Sequence, residues 1–484
     1  MAATLRTAAR LALAGFVLVA AGSCGSGLGS GLDPRPANAA GPDDPPTASV
    51  THTDVAGSEA GAEPEPEPAP EPGPPQLPSF TPEPGDELDP HQPLEDPSGV
   101  ALDYFYRSLT DVDEGQAGAM ARVLHLGDST LGLDGIPHAI RKRMQQRFGD
   151  GGAGLLLLKR YSPSYKPASV KLSGGEGWTH CYIAYKCRGD GRYGIGGVIV
   201  SASSGAWTSF STLPEDQPVG TGFSRAELWY AASPIGGTIA VEIDGKLARS
   251  IDSKAPDAEG VVDRWETLSV DPGPHSLKVS AAGHGKSRIY GVVLETEGPG
   301  VVWDSTSMIG AFTKRLLAWD HEHIAAQVEH RDPALIVFTY GGNDLRRIVA
   351  GTLDEDTYVE EAGAVIELVR AGKPEASCLV TSVIDHGRSG TYDVKPEHVA
   401  TMVAAQRRLA AEQGCAFFDT WNAMGGANSI REWLKASPRL AEPDLKHLNH
   451  RGRELMGQWI HEALLAGYVA YRERGVDTRA LADE

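Results

Sequence analysis

The sequence lacks several signatures that would assign it to a common class of enzyme. It has no Gly-x-Ser-x-Gly elbow, which counts against an α/β-hydrolase of the ordinary lipase type. It has no His-Glu-x-x-His motif and no paired Cys-x-x-Cys motifs, so a metal is not implied. After the first twenty-odd residues, no uninterrupted apolar stretch is long enough to span a bilayer. We therefore expect a mature protein that is not integral to a membrane.

Positive charge is also scarce. The chain has 44 Lys and Arg against 64 Asp and Glu, which gives a formal net charge of -20. This charge would repel a phosphate backbone, so we expect no nucleic-acid partner.

The N-terminus has the pattern of an export signal. Two arginines precede an apolar segment from Leu11 to Ala21, and small residues then lead to Cys24. These small residues resemble a bacterial lipobox, which implies that the signal is removed and Cys24 is acylated. The alternative is simple secretion, in which Cys24 is discarded. Residues 1–24 are thus interpreted as a signal peptide with a lipobox-like end.

Four further cysteines would remain after export, which makes disulfides possible in principle. Cys181 and Cys187 flank the sequence YIAYK. On a single strand they would lie roughly 20 Å apart, beyond the reach of about 7 Å that a disulfide allows. They can pair only if the chain turns back between them. Cys378 and Cys415 open two apolar runs that suit neighbouring parallel strands, where either a bridge or two buried thiols would fit.

Residues 25–98 are small, polar and proline-rich, with EPEPEPAPEPGPP at their centre. Such a composition buries too little apolar surface to offset the loss of backbone entropy on ordering. We predict a disordered tether over this range, which would hold a folded domain away from a membrane surface. The globular part is expected to begin at residue 99, and residues 476–484 are expected to form a tail.

Two parts of the remaining chain alternate apolar strands with helices. The strand ARVLHLGDS precedes a predicted helix from about Pro137 to Phe148, and the alternation returns with ALIVFTY, CLVTSVI and CAFFDT. Alternation of this kind predicts an α/β domain with a parallel sheet that helices cover on both faces. We assign residues 99–170 and 298–475 to this domain.

Residues 171–297 have a different pattern, with short alternating segments separated by Gly/Pro turns. Examples are RAELWY, TIAVEIDGK and RIYGVVLE. This spacing predicts an antiparallel β-sandwich inserted into the α/β domain. We expect most of its large aromatic side chains to pack in the core rather than to stack on sugars. They are Trp178, Trp207, Trp229, Tyr230 and Trp265.

Three polar patterns follow strands of the α/β part: GDS at 127–129, GGND at 341–344 and DLKHLN at 444–449. Loops at the carboxyl ends of parallel strands converge on one crevice, so these residues can meet. Taken singly, GDS has an ordinary explanation as a turn and helix N-cap, and GGND as a turn. A second Asp-x-x-His, at Asp320 and His323, is interpreted as the solvent-exposed face of a charged helix.

Together and in this order, the three patterns resemble the sequence blocks of the SGNH (GDSL-like) hydrolase family. The resemblance implies a three-layer α/β sandwich with a Ser-His-Asp site. By this resemblance Ser129 would be the nucleophile, His447 the general base and Asp444 the group that orients the imidazole.

The family's oxyanion hole combines backbone N–H groups with an asparagine side chain. The resemblance assigns these roles to the N–H of Ser129, the side chain of Asn343 and a glycine N–H. Gly310 is the first candidate for that glycine and Gly197 is the alternative. The inserted β-module and the segment AMGGANSIREWL upstream of the Asp-His pair resemble the peptidoglycan O-acetylesterase (Ape-type) branch, whose insert is similar to a carbohydrate-binding module.

These resemblances imply an exported serine esterase that removes small acyl groups, above all acetyl, from peptidoglycan or another polysaccharide. One alternative is an O-acetyltransferase, which would pass the acyl group to a sugar rather than to water. Another is a non-catalytic wall-binding lipoprotein. The expected location is the bacterial cell envelope, in the periplasm or at the outer membrane, with membrane contact only through the N-terminal lipid.

Overall fold

A computed structural model of the protein describes residues 77–475. The predicted signal peptide with Cys24, the first part of the predicted tether and the tail from residue 476 lie outside these residues. In the part described, no helix is both long enough and apolar enough to cross a bilayer.

Strands and α-helices alternate in the two outer parts of the described chain, and its middle has strands and two short 3₁₀ helices. The strands are β1 Met120–Gly127, β2 Gly154–Leu156, β3 Lys171–Gly174, β4 Thr179–Tyr182, β5 Val198–Ser211, β6 Phe223–Ala232, β7 Thr238–Ile243, β8 Lys246–Asp252, β9 Val262–Gly273, β10 Ser276–Glu295, β11 Gly300–Ser307, β12 Leu335–Thr339, β13 Ser377–Thr381, β14 Arg388–Ser389, β15 Tyr392–Asp393 and β16 Ala416–Phe418. The α-helices are α1 Asp103–Asp113, α2 Gly135–Phe148, α3 His321–Arg331, α4 Leu345–Val349, α5 Glu355–Arg370, α6 Pro396–Glu412, α7 Thr420–Ala423, α8 Ser429–Lys435 and α9 His450–Glu473.

A five-stranded parallel sheet forms the centre of the α/β part, in the order β11–β1–β12–β13–β16. Strands β12 and β13 are buried along their whole length, as strands covered on both faces must be. Helices α1, α2 and α9 pack on one face, and α3, α5 and α6 pack on the other. The predicted α/β three-layer sandwich is confirmed.

The middle of the chain folds as an antiparallel β-module, as predicted. Its long strand β10 pairs with β5, β6 and β7, and the module has a hydrophobic core of its own. Trp178 and Trp229 are each 1% exposed, and Tyr230 is also buried. Trp207 differs, because 42% of it is exposed. Core packing is therefore confirmed for most of these aromatic residues.

The module begins earlier than the predicted boundary at residue 171. Strand β2 belongs to the antiparallel sheet, where Leu156 pairs with Val292 and Gly154 with Leu294 of β10. The predicted boundary is therefore wrong for this strand. A strand of three residues is too short to show the alternation of side chains on which the prediction depended.

The last part of the predicted tether, residues 77–98, is ordered against the domain, so this part of the prediction is wrong. The backbones of Glu95 and Phe417 exchange two hydrogen bonds of 2.8 Å. The ring of His91 stacks on Trp459 with 4.0 Å between centroids. Because these partners are distant in sequence, the composition of the segment alone does not reveal them.

Both cysteine pairs form disulfides. A 3₁₀ turn at 183–185 and Lys186, with a φ of 50°, turn the chain back between Cys181 and Cys187, whose Cα atoms lie 5.7 Å apart. This is the condition under which the sequence allowed a bridge. Cys378 on β13 bonds to Cys415, which directly precedes β16. Of the two alternatives for this pair, the structure has the bridge and not the free thiols.

Candidate active site

Ser129 lies in a tight loop at the carboxyl end of β1. The loop requires Gly127, because a Cβ atom there would lie 2.6 Å from Leu131 and 2.8 Å from the carbonyl oxygen of Thr339. Asp128 caps the following 3₁₀ helix, since its Oδ1 accepts the N–H of Thr130 at 2.9 Å. Asp128, and not Ser129, therefore performs the capping that the sequence suggested, and the Ser129 hydroxyl has a different partner.

That partner is His447, on the loop before α9. The Nε2 atom of His447 lies 3.0 Å from the Oγ of Ser129, and its Nδ1 lies 2.7 Å from Oδ2 of Asp444. Because the carboxylate accepts the Nδ1 hydrogen, Nε2 keeps its lone pair and can accept the serine proton. The three residues that the sequence proposed as a catalytic set thus form one continuous hydrogen-bonded chain.

Asp444 is itself held by its own loop. Its Oδ1 accepts the backbone N–H groups of Lys446 and His447, each at 3.1 Å. Burial acts to raise the pKa of Asp444, but the hydrogen bond from the His447 ring and these backbone donors bring its pKa below the ordinary value. The side chain is therefore an anion at neutral pH, which suits a group that orients and stabilises an imidazolium.

A cavity of about 220 Å³ opens beside Ser129 and His447. Gly310, from the loop after β11, and Asn343, from the loop after β12, line the same cavity. Gly310 has a φ of +76°, which favours glycine. Its N–H and that of Ser129 donate to no other group within residues 77–475. Both amides are thus free to bind an anionic oxygen.

The alternative glycine lies elsewhere. Gly197 packs inside the module, where a Cβ atom would lie 2.9 Å from the sulfur of Met308. The residues lining the cavity include Gly310 and not Gly197. Of the two candidates, only Gly310 has the position that an oxyanion donor needs.

The Asn343 side chain donates two hydrogen bonds through Nδ2, one to the carbonyl oxygen of Ala311 at 3.1 Å and one to Oδ2 of Asp128 at 3.3 Å. Both hydrogens of this amide nitrogen are therefore engaged in the structure. Burial raises the pKa of Asp128, which is 1% exposed.

The second Asp-x-x-His pair is not on a solvent-exposed face, so that interpretation is wrong. His323 is 1% exposed, its Nδ1 lies 2.6 Å from Oδ2 of Asp263, and its Nε2 accepts the N–H of Gly194 at 2.9 Å. Asp263 and Gly194 belong to the inserted module. The pair therefore joins α3 to the module, a contact that the pattern of one helix does not reveal.

Several residues at the cavity were not identified from the sequence. Arg453, in the first turn of α9, is 9% exposed, and its side chain lies over Gly135. Its position just after the DLKHLN segment is the one signal that could have found it. The other residues that line the cavity are Gly132, Leu133, Ser164, Ile309, Glu442 and Lys446.

Among residues 77–475, no group of His, Cys, Asp and Glu side chains is arranged to hold a metal ion.

A serine whose hydroxyl meets an aspartate-supported histidine, beside two unbonded amides, is the arrangement that serine hydrolases use. Residues 277–455 match the model of the GDSL-like lipase/acylhydrolase family. This range contains Asn343, Asp444 and His447 and leaves out Ser129, which the inserted module separates from them in sequence. The chain thus contains a GDSL-like acylhydrolase domain, and this domain is a carboxylic ester hydrolase of the SGNH type.

Among solved structures, the fold is similar to that of a peptidoglycan O-acetylesterase, with 20% identity and a TM-score of 0.62 over 77% of this chain and 97% of that one. A lipase/acylhydrolase from Enterococcus faecalis is 19% identical, with a TM-score of 0.27 over 34% of this chain and 76% of that one. An acetyl esterase solved with an acetate ion is 17% identical, with a TM-score of 0.25 over 35% and 71% of the respective chains. No curated protein matches the sequence significantly.

Proposed function

We propose that the protein is an exported esterase that removes O-acetyl groups from peptidoglycan. The observation that carries the catalytic part is the chain of contacts from Asp444 through His447 to Ser129, with distances of 2.7 and 3.0 Å. In this proposal Ser129 is the nucleophile, His447 the general base and Asp444 the orienting carboxylate. The N–H groups of Ser129 and Gly310 and the Asn343 side chain bind the oxyanion.

The proposed reaction has two halves. As Nε2 of His447 takes the hydroxyl proton of Ser129, the serine oxygen bonds to the acetyl carbonyl carbon and forms a tetrahedral oxyanion. This intermediate collapses, the bond to the sugar oxygen breaks, and His447 gives its proton to that oxygen. Water then attacks the acetyl-serine with the same proton transfers, which releases acetate and restores Ser129. Neither half requires a cofactor.

The lining of the cavity beside Ser129 supports a polar substrate. The charged side chains of Glu442, Lys446 and Arg453 line it, and such groups suit sugar hydroxyls and carboxylates better than a lipid tail. The fold likeness to a peptidoglycan O-acetylesterase favours that polymer among acetylated polysaccharides.

The test is the release of acetate from O-acetylated peptidoglycan, with acetylated xylan or mannan as the competing substrates. We expect a higher kcat/KM on peptidoglycan than on the plant polymers, and no release by Ser129→Ala. Equal rates on all three polymers would contradict the proposed substrate while leaving the esterase intact. Acetyl transfer to an added glycan, without free acetate, would instead identify a transferase.

We also propose that the protein is anchored in the cell envelope through a lipid on Cys24, at the start of the Pro-rich segment. Cells that express the chain with a radiolabelled fatty acid should incorporate label into the wild type and not into Cys24→Ser. Equal labelling of the two proteins, or no labelling of either, would contradict the anchor.

A further inference from the structure

Two tyrosine hydroxyls hold the loop that carries Gly310. Tyr182, the last residue of β4, donates its hydroxyl hydrogen to the carbonyl oxygen of Ile309 at 2.8 Å. Tyr161, between β2 and β3, donates to the carbonyl oxygen of Ser307 and accepts the N–H of Ile309 at 3.5 Å. The two rings lie 4.8 Å apart. The backbone that leads to Gly310 is therefore fixed at three points.

The bond from Tyr182 sets the direction of the Gly310 N–H. The carbonyl of Ile309 and the N–H of Gly310 belong to one planar peptide unit and, in the trans form, point in opposite directions. Because the carbonyl points to Tyr182, the N–H points away from it. Ile309 and Gly310 line the cavity beside Ser129, whereas Tyr182 is not among the lining residues. The N–H of Gly310, a residue that lines the cavity, is therefore directed away from the Tyr182 side of its loop.

Within residues 77–475, no donor other than the Tyr182 hydroxyl bonds to the Ile309 carbonyl. Without that donor, the peptide between Ile309 and Gly310 would be free to rotate. Gly310 itself adds little restraint, since nothing lies within 4 Å of the position a Cβ atom would take. The orientation of this amide therefore depends on a residue of the inserted module.

We propose that Tyr182 is a positioning residue for the esterase reaction, which fixes the Gly310 N–H as an oxyanion donor, with the Tyr161 hydroxyl as its support. The inference rests on the proposed function, because this amide matters only if Ser129 attacks an ester. It gives the inserted module a part in the chemistry, in addition to any part in substrate binding.

Tyr182 is well placed for this role because it is itself held firmly. It is 3% exposed, its N–H donates to Sγ of Cys187 at 3.1 Å, and it follows Cys181 of the same disulfide. Burial raises the pKa of Tyr182 above its ordinary value, and the neighbouring Tyr161 has a smaller effect in the same direction. The hydroxyl therefore keeps the hydrogen that it donates. A donor fixed before the reaction lowers the cost of reorganisation in the transition state.

The test compares Tyr182→Phe with Tyr185→Phe, a matched control on the same disulfide-closed loop whose ring is 76% exposed. For an aryl acetate, we expect Tyr182→Phe to lower kcat by about 10- to 100-fold, with KM within about twofold, since only transition-state binding is lost. Inhibition by a boronic acid that forms a tetrahedral adduct on serine should weaken by a similar factor. Tyr185→Phe should match the wild type in all three measurements.

Wild-type kcat in Tyr182→Phe would overturn the inference, as would equal weakening of substrate and boronic-acid binding. If Tyr182→Phe does not fold, Tyr161→Phe is used, because its hydroxyl acts on the same loop. A loss of kcat without a change in KM would then support the inference, and unchanged kcat would overturn it. Failure of the proposed function gives a different result, because the wild type itself would then not hydrolyse the aryl acetate.

Discussion

Replacing Ser129 with alanine is expected to lower kcat on the order of 10⁶-fold, with little change in KM, because the acyl-enzyme can no longer form. His447→Ala should cause a loss of similar size, since the hydroxyl then has no base within reach. The two losses should not add in the double variant, because the residues act as one unit. Steady-state hydrolysis of an aryl acetate measures all three.

The matched control for this prediction is Ser164→Ala. Ser164 lines the same cavity, whereas Ser129 is the serine whose hydroxyl lies at 3.0 Å from His447. We expect the control to keep nearly the wild-type rate. A comparable loss in Ser164→Ala, or measurable turnover near the wild-type rate in Ser129→Ala, would contradict the assignment.

The largest effect on stability is expected from Arg331→Met, which removes a buried cation between the two parts of the fold. Arg331 of α3 is 3% exposed and bonds to both carboxylate oxygens of Asp304, on β11, and at 2.6 Å to Glu295, at the end of β10. Its loss leaves the buried carboxylate of Asp304 without its ion-pair partner, while Glu295 keeps the bonds from Arg122 and Arg225. We expect a decrease of about 3–5 kcal/mol in the free energy of unfolding, measured by urea denaturation.

Arg408→Met is the control for this prediction. Arg408 also forms ion pairs, with Glu355 and Asp356, but on the surface of the domain. Exposed pairs of this kind contribute only about 0–1 kcal/mol, so the urea midpoint should barely move. Equal destabilisation by the two substitutions would show that the buried position of Arg331 has no special importance.

The same cluster gives the wild type a dependence on pH. Burial acts to raise the pKa of Glu295, but Arg331 and Arg122 hold it far below its ordinary value. Because the folded-state pKa is depressed, this stabilisation is fully present above the unfolded-state value of about 4.3 and decreases as the pH falls below it. The decrease should be smaller in Arg331→Met than in the wild type.

The parallel-sheet part of the fold could be predicted from sequence because its signals are local and long. Leu335–Thr339 is a continuous apolar run, and Glu355–Arg370 has the apolar spacing of a helix. The alternation of such segments implies the sheet topology. Strand β2 could not be predicted, because its three residues acquire their role only from pairing with β10. The ordered segment before residue 99 depends in the same way on distant partners.

The residues of the candidate site also divide into those with a local sequence pattern and those that depend on distant partners. Ser129 and Asn343 occur in recognisable short patterns at strand ends. Asp444 and His447 occur in another before the last helix, so the meeting of these residues could be predicted. Tyr182 has no such pattern, because its importance comes from the peptide that it contacts 127 residues away. For Gly310 the sequence offered two candidates, and the choice between them required the position of the cavity.

The central claim is that Ser129 is the residue that becomes acylated. Its most direct test is reaction of the protein with a fluorophosphonate, which modifies activated serines, followed by mass spectrometry of the peptides. We predict one adduct, on the peptide that contains Ser129, and a much slower reaction in His447→Ala. An adduct on any other serine, or labelling of Ser129→Ala at the wild-type rate, would contradict the account.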